Sequence, residues 1–252
     1  MASHDEVAFI TGANKGIGLE TARGLGKLGI AVVLGSRDEA KGHAAAKALK
    51  AEGIDGVEAV GFDVTRPEDH AAIARHLEDR YGKLDILVNN AGIAPEEVDF
   101  GAPGGFNTTT TVSPEVLRKT FETNFFAVVA LTKALLPLIR KAPAGRIVNL
   151  SSILGSLTLH SDLSSGLYDI KSFAYDASKT ALNAFTVHLA HALRGTKIKV
   201  NSAHPGWVKT DMGGPAAPME LAEGGKTSVQ LATLPDDGPT GGYFHLGQPL
   251  PW

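Results

Sequence analysis

The chain has 252 residues, 43% of them hydrophobic and 20% charged, which is the composition of an ordinary globular domain with enough apolar residues for a sizeable core. Its formal net charge of −3 provides no basic field for nucleic acid or for an anionic membrane surface. It contains no cysteine, which excludes disulfides, thiolate metal ligands and cysteine nucleophiles.

Targeting and membrane segments are not indicated. The first dozen residues contain no basic segment followed by an apolar run, so no secretory signal is predicted. No stretch reaches the roughly 18 consecutive apolar residues of a membrane span. The expectation is a cytoplasmic protein with no membrane partner and no nucleic-acid partner.

Six short segments are predicted as strands, and most of them are continuous β-branched and aliphatic runs, as expected of strands that are buried on both faces. They are Val7–Thr11, Ala31–Gly35, Val57–Phe62, Ile86–Asn89, Arg146–Leu150 and Lys199–Ala203. Apolar residues at helical spacing predict helices over Ile17–Leu28, Glu39–Glu52, Glu68–Tyr81, Pro114–Lys141 and Tyr175–Leu193. This alternation predicts one α/β domain over residues 1–252, a doubly wound parallel sheet with helices on both faces.

Three connections are long for such a domain: about residues 93–113, 153–174 and 207–225. Each leaves the carboxyl end of a predicted strand, where ligands bind in open α/β sheets. We interpret them as substrate loops, and tolerated surface insertions are the alternative interpretation.

A glycine-rich turn joins the first predicted strand to the first helix, with the sequence Thr-Gly-Ala-Asn-Lys-Gly-Ile-Gly over residues 11–18. Gly12, Gly16 and Gly18 permit a tight turn, close approach of the backbone to a phosphate, and close packing of helix on sheet. The helix that follows presents unpaired N–H groups and its positive end to the same phosphate. The segment therefore predicts a dinucleotide-binding turn.

Further motifs follow this turn in a fixed order. They are Asp63-Val64, Asn89-Asn90-Ala91-Gly92, Asn124, Ser151-Ser152, Tyr175-Asp176-Ala177-Ser178-Lys179, and His204-Pro205-Gly206-Trp207-Val208-Lys209-Thr210-Asp211. Over about residues 7–212 the set resembles the short-chain dehydrogenase/reductase family. The resemblance implies a Rossmann-type fold and an oxidoreductase that transfers a hydride between a nicotinamide dinucleotide and a carbonyl or alcohol carbon.

One branch of that family is the nearer match. Ser152 and Tyr175 are 23 positions apart, about ten more than in most members. This insertion, the Pro-Gly-Trp-Val-Lys-Thr-Asp-Met run and the final Gly-Gly-Tyr-Phe segment resemble the carbonyl-reductase branch. The reaction implied is reduction of a ketone or aldehyde.

Tyr175 and Lys179 are four residues apart in a predicted helix, so their side chains lie on one face. A nearby ammonium favours the phenolate, and we expect it to lower the pKa of Tyr175 from its usual value near 10. Tyr175 can then give a proton to the substrate oxygen, which the Ser152 hydroxyl polarises. The resemblance implies that Lys179 also holds the nicotinamide ribose and that Asn124 anchors a water in a proton relay. Ser151 remains an alternative to Ser152.

The end of the second predicted strand bears on the choice of cofactor. NAD-binding folds place a carboxylate there against the ribose 2′-hydroxyl. Here Ser36 occupies the acidic position and Arg37 follows it, and a guanidinium suits a 2′-phosphate. Lys15 adds a second cation. NADP(H) is therefore predicted, although Asp38 could be the ribose acid instead of the first residue of the next helix.

The resemblance implies cofactor contacts in six groups of residues. They are Gly12, Asn14, Lys15, Gly16, Ile17 and Gly18; Ser36 and Arg37; Asp63 and Val64; Asn90, Ala91 and Gly92; Tyr175 and Lys179; and Pro205, Gly206, Val208 and Thr210. Asp63 is expected to contact adenine, Asn90 the adjacent backbone, and Val208 and Thr210 the nicotinamide carboxamide.

The substrate pocket is expected near Ile93, Leu154 and Trp207, together with Ser152 and Tyr175. Its apolar members suggest a hydrophobic aldehyde or ketone, although a core role would explain each of them equally well. His160, His204 and the other histidines show no ligand spacing and are interpreted as structural or surface groups, so no metal is expected.

Other functions stay open. An NAD(H)-dependent alcohol dehydrogenase of the same family would use the same chemistry. A nucleotide-sugar epimerase or dehydratase would carry a substantial extra region after residue 212, and a non-catalytic NADP(H)-binding regulator would not need the Asn-Ser-Tyr-Lys set. The chain is expected to be a monomer, or a homo-oligomer that pairs through helices 114–141 and 175–193.

Overall fold

The computed structural model describes residues 5–95 and 108–252. Its centre is an eight-stranded sheet in the order β3-β2-β1-β4-β5-β6-β7-β8. The first seven strands are parallel, and β8 is antiparallel to β7. The strands are β1 Val7–Thr11, β2 Ala31–Ser36, β3 Val57–Gly61, β4 Ile86–Asn89, β5 Arg146–Leu150, β6 Lys199–Ala203, β7 Tyr243–His245 and β8 Gln248–Pro249.

Helices cover both faces of this sheet. They are α1 Gly16–Lys27, α2 Glu39–Ala51, α3 Pro67–Tyr81, α4 Pro114–Phe121, α5 Ala127–Ile139, α6 Leu157–Ser161, α7 Phe173–Ala192, α8 Leu221–Gly224 and α9 Lys226–Ala232. Side chains alternate along β1, so Phe9 joins the core layer beneath α3, α5 and α7, while Ile10 joins the layer beneath α1, α2 and α9. The predicted doubly wound α/β domain is confirmed.

The six predicted strands are all present. β2 extends one residue further, to Ser36, and β3 ends one residue earlier, at Gly61. The predicted helices agree within two residues at their ends. The last elements of the chain, α8, α9, β7 and β8, were not predicted, because each is too short to show a hydrophobic period.

The predicted helix 114–141 is α4 and α5 joined by a π-turn, Glu122–Phe126, and it ends at Ile139. By length and composition the run Pro114–Ile139 could cross a membrane. In the fold, however, α5 buries Leu131 and Leu135 in the core layer shared with α3. The core helix of a globular domain passes the same test of length and composition.

Candidate active site

The sheet reverses its strand order between β1 and β4, which creates a crevice at their carboxyl ends. The Thr11 hydroxyl at the end of β1 accepts hydrogen bonds from the main-chain N–H groups of Asn90 (3.0 Å) and Ala91 (2.9 Å) beyond β4. The Asn90 amide donates back to the main-chain oxygens of Thr11 (2.8 Å) and Gly12 (3.1 Å). The two edges of the crevice are thus held together at the glycine-rich turn.

The glycines of that turn are required by its shape. Gly12 and Gly16 have φ of +64° and +61°, in the left-handed region. A Cβ on Gly18 would lie 2.5 Å from the Asn90 amide nitrogen and 2.7 Å from the Gly12 oxygen. No side chain caps the start of α1 at Lys15, and its first turn contains no acidic residue. The turn therefore leaves main-chain N–H groups and the positive helix end to an anion, which fits a dinucleotide pyrophosphate.

The end of β2 separates the two cofactor hypotheses. Asp38 is the N-cap of α2, since its side chain accepts from the Lys41 N–H at 3.0 Å, and this bond holds the pKa of Asp38 below its usual value. The Ser36 hydroxyl donates to the Asp38 main-chain oxygen at 2.7 Å. Asp38 thus caps the start of a helix. This is the position predicted for Asp38 under the hypothesis that Arg37 binds the 2′-phosphate of NADP(H).

Arg37, the first residue after β2, is exposed. Burial opposes ionisation of Asp63, but hydrogen bonds from Thr65 and the charge of Arg37 lower its pKa overall. Arg37 and Asp63 therefore face the same space beyond β2 and β3. Lys15, the second predicted cation, forms an exposed ion pair with Asp211 on the loop after β6.

Tyr175 and Lys179 lie on one face of the first turns of α7, as predicted. The Lys179 ammonium is 5.5 Å from the centroid of the Tyr175 ring and donates to the main-chain oxygen of Leu150 at 2.8 Å. The Ser152 hydroxyl, just beyond β5, is hydrogen-bonded to the Tyr175 side chain. The structure therefore brings Ser152, Tyr175 and Lys179 together at the carboxyl end of β5.

The pKa shifts in this cluster are governed by burial. Burial raises the pKa of Tyr175 to about 12, against the opposing effect of the Ser152 hydrogen bond, and it lowers the pKa of Lys179 to about 8. The expectation that the ammonium lowers the pKa of Tyr175 is wrong for this structure. The physical reason is that Lys179 lies over the ring and bonds Leu150, while loss of hydration dominates at the phenol.

Asn124 lies in the π-turn between α4 and α5 and is fully buried. Its side chain accepts from the Ile93 N–H (2.9 Å) and donates to the Ile93 oxygen (2.9 Å) and to the Ser178 hydroxyl (3.0 Å). A Cβ on Gly92 would lie 3.4 Å from the Asn124 amide oxygen and 3.5 Å from the Lys179 nitrogen. Asn124 and Lys179 thus approach one another at Gly92. The Asn124 side chain already makes three hydrogen bonds, so we expect a water molecule to contact the Asn124 main chain instead.

Ser151 points elsewhere. Its hydroxyl and that of Tyr243 on β7 are buried, and neither has a hydrogen bond of ordinary geometry to the described residues. Burial raises the pKa of Tyr243, the neighbouring Tyr175 phenol raises it further, and Ser151 opposes both effects. Of the two serines, Ser152 is the one that bonds Tyr175. The sequence analysis singled out the Gly-Gly-Tyr-Phe segment that contains Tyr243 but assigned this residue no role, because β7 itself could not be predicted.

The insertion after Ser152 begins with a 3₁₀ turn, Ile153–Gly155, and then α6. The Ile153 N–H donates to His204 Nδ1 at 3.2 Å, and His245 Nδ1 donates to the His204 main-chain oxygen at 2.9 Å. Burial, with a contribution from His245, lowers the pKa of His204 to about 3, so this imidazole is neutral. His204 is therefore a structural group directly behind Ser152, in agreement with its sequence interpretation.

The loop after β6 forms the other wall. Gly206 has φ of +91°, and a Cβ there would lie 2.1 Å from the Met219 sulfur. Val208 is buried and bridges Met219, while Trp207 is 44% exposed and its indole N–H donates to the Gly213 oxygen at 2.7 Å. Of the predicted substrate loop at 93–113, residues 96–107 lie outside the described residues.

A sheet with a crevice at its switch point, a glycine-rich turn and a Tyr-Lys pair beside a serine define a dinucleotide-binding oxidoreductase. The family model described as short chain dehydrogenase matches residues 6–221. The chain belongs to the short-chain dehydrogenase/reductase family.

The proteins that this chain is similar to include carbonyl reductases and other reductases. Carbonyl reductase [NADPH] 1 of Mus musculus is 36% identical over 290 aligned positions that cover the whole of both chains. The (−)-isopiperitenone reductase of Mentha piperita is 35% identical and covers 97% of each chain. The crystal structure of NADPH-bound carbonyl reductase from chicken fatty liver has a TM-score of 0.82 and 28% identity, covering 98% of this chain and 99% of the other.

Proposed function

We propose that this protein is an NADPH-dependent carbonyl reductase, which reduces a hydrophobic ketone or aldehyde to the alcohol in a reversible hydride transfer. The observation that carries the proposal is the assembly of Ser152, Tyr175 and Lys179 at the mouth of the crevice. The printed names of relatives over the full chain length, carbonyl reductases that use NADPH and other reductases, support the same reaction class and cofactor.

The residues present fit NADP(H). The glycine-rich turn and the start of α1 would hold the pyrophosphate, and Lys179 the nicotinamide ribose. Arg37 and Lys15 would hold the 2′-phosphate, since Asp38 is committed to capping α2. When bound, the dinucleotide supplies the hydride. The remaining proposed contacts are those predicted from the sequence: Asn14, Ile17, Ser36, Asp63, Val64, Asn90, Ala91, Gly92, Pro205, Gly206, Val208 and Thr210.

The chain's own chemistry is proton transfer to the substrate oxygen. Ser152 and Tyr175 would hold that oxygen through their hydroxyls, and Tyr175 would release its proton to it as general acid. The Tyr175 phenol is protonated at neutral pH, as proton donation requires, while burial raises its pKa and makes it a weaker acid than a free tyrosine. Asn124 and Ser178 would maintain the position of the Tyr175 turn.

The substrate side of the proposed site is apolar. Leu154 lies in the 3₁₀ turn between Ser152 and Tyr175 along the chain, Trp207 lies on the loop after β6, and Ile93 follows β4. Such a lining favours an apolar carbonyl compound and discriminates only modestly between shapes. We assign the substrate loops to about residues 93–113, 153–174 and 207–225 of a single domain.

We further propose that the protein acts in the cytoplasm, as a monomer or as a homo-oligomer through α4–α5 and α7. Light scattering of the purified protein decides between these two states.

The function is tested by following NADPH oxidation with a panel of hydrophobic ketones and aldehydes, with NADH in parallel. We expect turnover with NADPH, and a loss of about 10³-fold or more in kcat for Tyr175→Phe with NADPH binding retained. A wild-type protein that binds NADPH tightly and reduces no member of the panel would contradict the proposal.

A further inference from the structure

The insertion between Ser152 and α7 has a firmly held first turn. The Thr180 hydroxyl on α7 donates to the Gly155 oxygen at 3.1 Å. A Cβ on Gly155 would lie 2.9 Å from the Lys179 Cβ and from its carbonyl carbon, so only glycine permits this approach. His160 Nε2 donates to the Leu154 oxygen at 2.8 Å. The turn that carries Leu154 therefore lies directly on the helix of the proposed catalytic pair.

The helix that follows this turn has no core of its own. α6 has five residues, none of them buried, and Leu157 is 64% exposed. A helix of this length does not persist in water without outside support. Its support comes partly from Ser156, whose hydroxyl caps α6 by accepting from the Leu159 N–H at 3.2 Å.

His160 holds the end of α6 through its bonds to Leu154 and Lys171, and the last residues of the sequence hold its start. The main-chain oxygen of Trp252 accepts from the Thr158 N–H at 2.8 Å and from the Ser156 hydroxyl at 3.1 Å. Both donors belong to the start of α6. Trp252 thus bonds the insertion across 94 and 96 residues of sequence, and the bond to Ser156 holds the residue that caps the helix.

Trp252 is fixed in turn by β7. Its indole stacks on the ring of Tyr243, with centroids 5.5 Å apart and planes inclined by 19°. The Leu250 N–H donates to the Tyr243 oxygen at 2.8 Å, which leads the chain back along the β7–β8 hairpin. Tyr243 is 2% exposed and belongs to the central sheet, so it is a rigid support for Trp252.

We propose that Trp252 is a specificity-determining residue, which clamps α6 and the 3₁₀ turn of the insertion against the sheet and so fixes the wall of the substrate site beside Leu154. The inference rests on the proposed function in one respect, that the insertion borders the substrate. Loss of the clamp leaves Ser152, Tyr175 and Lys179 in their own contacts but loosens the wall. A large apolar carbonyl compound, which touches the wall, then binds less well than a small one.

The test compares Trp252→Ala with Trp252→Phe, which keeps an aromatic ring to stack on Tyr243. Hydrogen exchange of the Thr158 amide reports the clamp without any substrate. We expect exchange about tenfold faster in Trp252→Ala and near wild-type exchange in Trp252→Phe. Ser156→Ala, which removes one of the two donors and leaves Trp252 intact, is expected to give an intermediate rate. Unchanged exchange in Trp252→Ala would overturn the clamp.

Kinetics then test specificity. For Trp252→Ala we expect KM to rise about fivefold or more for a bulky apolar ketone, with kcat and the KM for a small aldehyde within about twofold of wild type. Recovery in Trp252→Phe would support the assignment. An equal rise in KM for large and small compounds would overturn the specificity role. A wild type inactive on every carbonyl compound would refute the proposed function, while the exchange measurement would still decide the clamp.

Discussion

Asn124 donates a hydrogen bond to the Ser178 hydroxyl across 3.0 Å, and Ser178 donates in turn to the main-chain oxygen of Tyr175 at 2.7 Å. The π-turn of one long helix is thereby tied to the first turn of α7 through a single buried serine. π-turns are costly relative to α-helix and are frequent at functional sites. Here the π-turn contains the residue that makes this connection.

Replacement of Ser178 by alanine should therefore act on both stability and catalysis. It leaves one buried N–H of Asn124 without its acceptor, which costs about 1–3 kcal/mol in the free energy of unfolding. We also expect kcat to fall while the affinity for NADPH changes little. Urea unfolding and steady-state kinetics measure the two effects. Ser178→Thr keeps the hydroxyl and is the matched control, and equal effects of both variants would contradict the hydrogen-bond explanation.

Ser151 and Ser152 should differ in their effect on catalysis. Ser152→Ala removes the hydroxyl bonded to Tyr175 and should lower kcat by about 10²-fold or more. The double variant Ser151→Ala/Tyr243→Phe removes both members of the buried hydroxyl pair, a change that is close to neutral or stabilising because no polar group is left alone. Thermal unfolding and turnover provide the comparison. A double variant as inactive as Ser152→Ala would show that Ser151 shares the chemistry.

The buried charge of Lys179 should lower the free energy of unfolding of the wild-type protein. Burial lowers its pKa from 10.5 to about 8, so between these values the unfolded chain binds more protons than the folded one and stability rises with pH. Below the lower value the full cost is present, on the order of 3 kcal/mol. Lys179→Met should therefore be inactive yet more stable at neutral pH by about 1–2 kcal/mol, since the bond to Leu150 is lost.

The pH dependence of that gain is the diagnostic feature. The advantage of Lys179→Met should shrink as pH rises above about 8 and become a deficit of about 1–2 kcal/mol above 10.5, where neither state of the wild type holds the proton and only the lost bond to Leu150 remains. Urea unfolding of both proteins over this range measures it. A gain that does not change with pH would point to better packing by methionine instead of a buried charge.

His204 should make the protein sensitive to acid. Its pKa is lowered from 6.5 to about 3, so between these values the unfolded chain binds the extra proton and stability falls as pH falls. By about pH 4 the loss is on the order of 3 kcal/mol relative to neutral pH. His204→Asn, whose amide oxygen can still accept from Ile153, should show a flatter curve. Parallel acid curves for the two proteins would rule out His204 as the cause.

Arg37 should carry the preference for NADPH. A charge-assisted contact with a phosphate contributes about 1.5–3 kcal/mol, so Arg37→Ala should raise the KM for NADPH by about 10- to 100-fold and leave the KM for NADH nearly unchanged. Asp38→Ala is the control, because it removes the α2 cap and costs about 1 kcal/mol of stability without altering the preference. An NADPH preference retained in Arg37→Ala would refute the role of Arg37.

The central fold could be predicted because β1, β2 and β4 are largely apolar runs whose burial on both faces is visible in their composition. β7 has three residues, and it is a strand because β6 offers it a partner along Ser202 and Ala203. Such support from a neighbour leaves no period in the local sequence. The same holds for α6, which is held by distant residues that include Trp252.

The motif residues of the site could be predicted because they recur in order along the chain, and the structure brings Ser152, Tyr175 and Lys179 together. The direction of the Tyr175 pKa shift could not be predicted, since it depends on how completely the surrounding side chains exclude water. The roles of Tyr243 and Trp252 could not be predicted for a further reason. Their contacts join positions about 90 residues apart, and the local sequence, including the Gly-Gly-Tyr-Phe segment, does not indicate which residues they contact.

The Asn90 amide fills the space above Gly18 and bonds the turn at Thr11, 79 residues earlier in the chain. A nascent chain that has emerged only as far as β3 therefore contains the glycines and α1 but not Asn90, whose side chain holds the turn in shape. Nucleotide affinity is then acquired only when β4 takes its place beside β1, and not with the first strand–helix unit. A shortened chain that stops before Asn90 should be unable to compete for the cofactor.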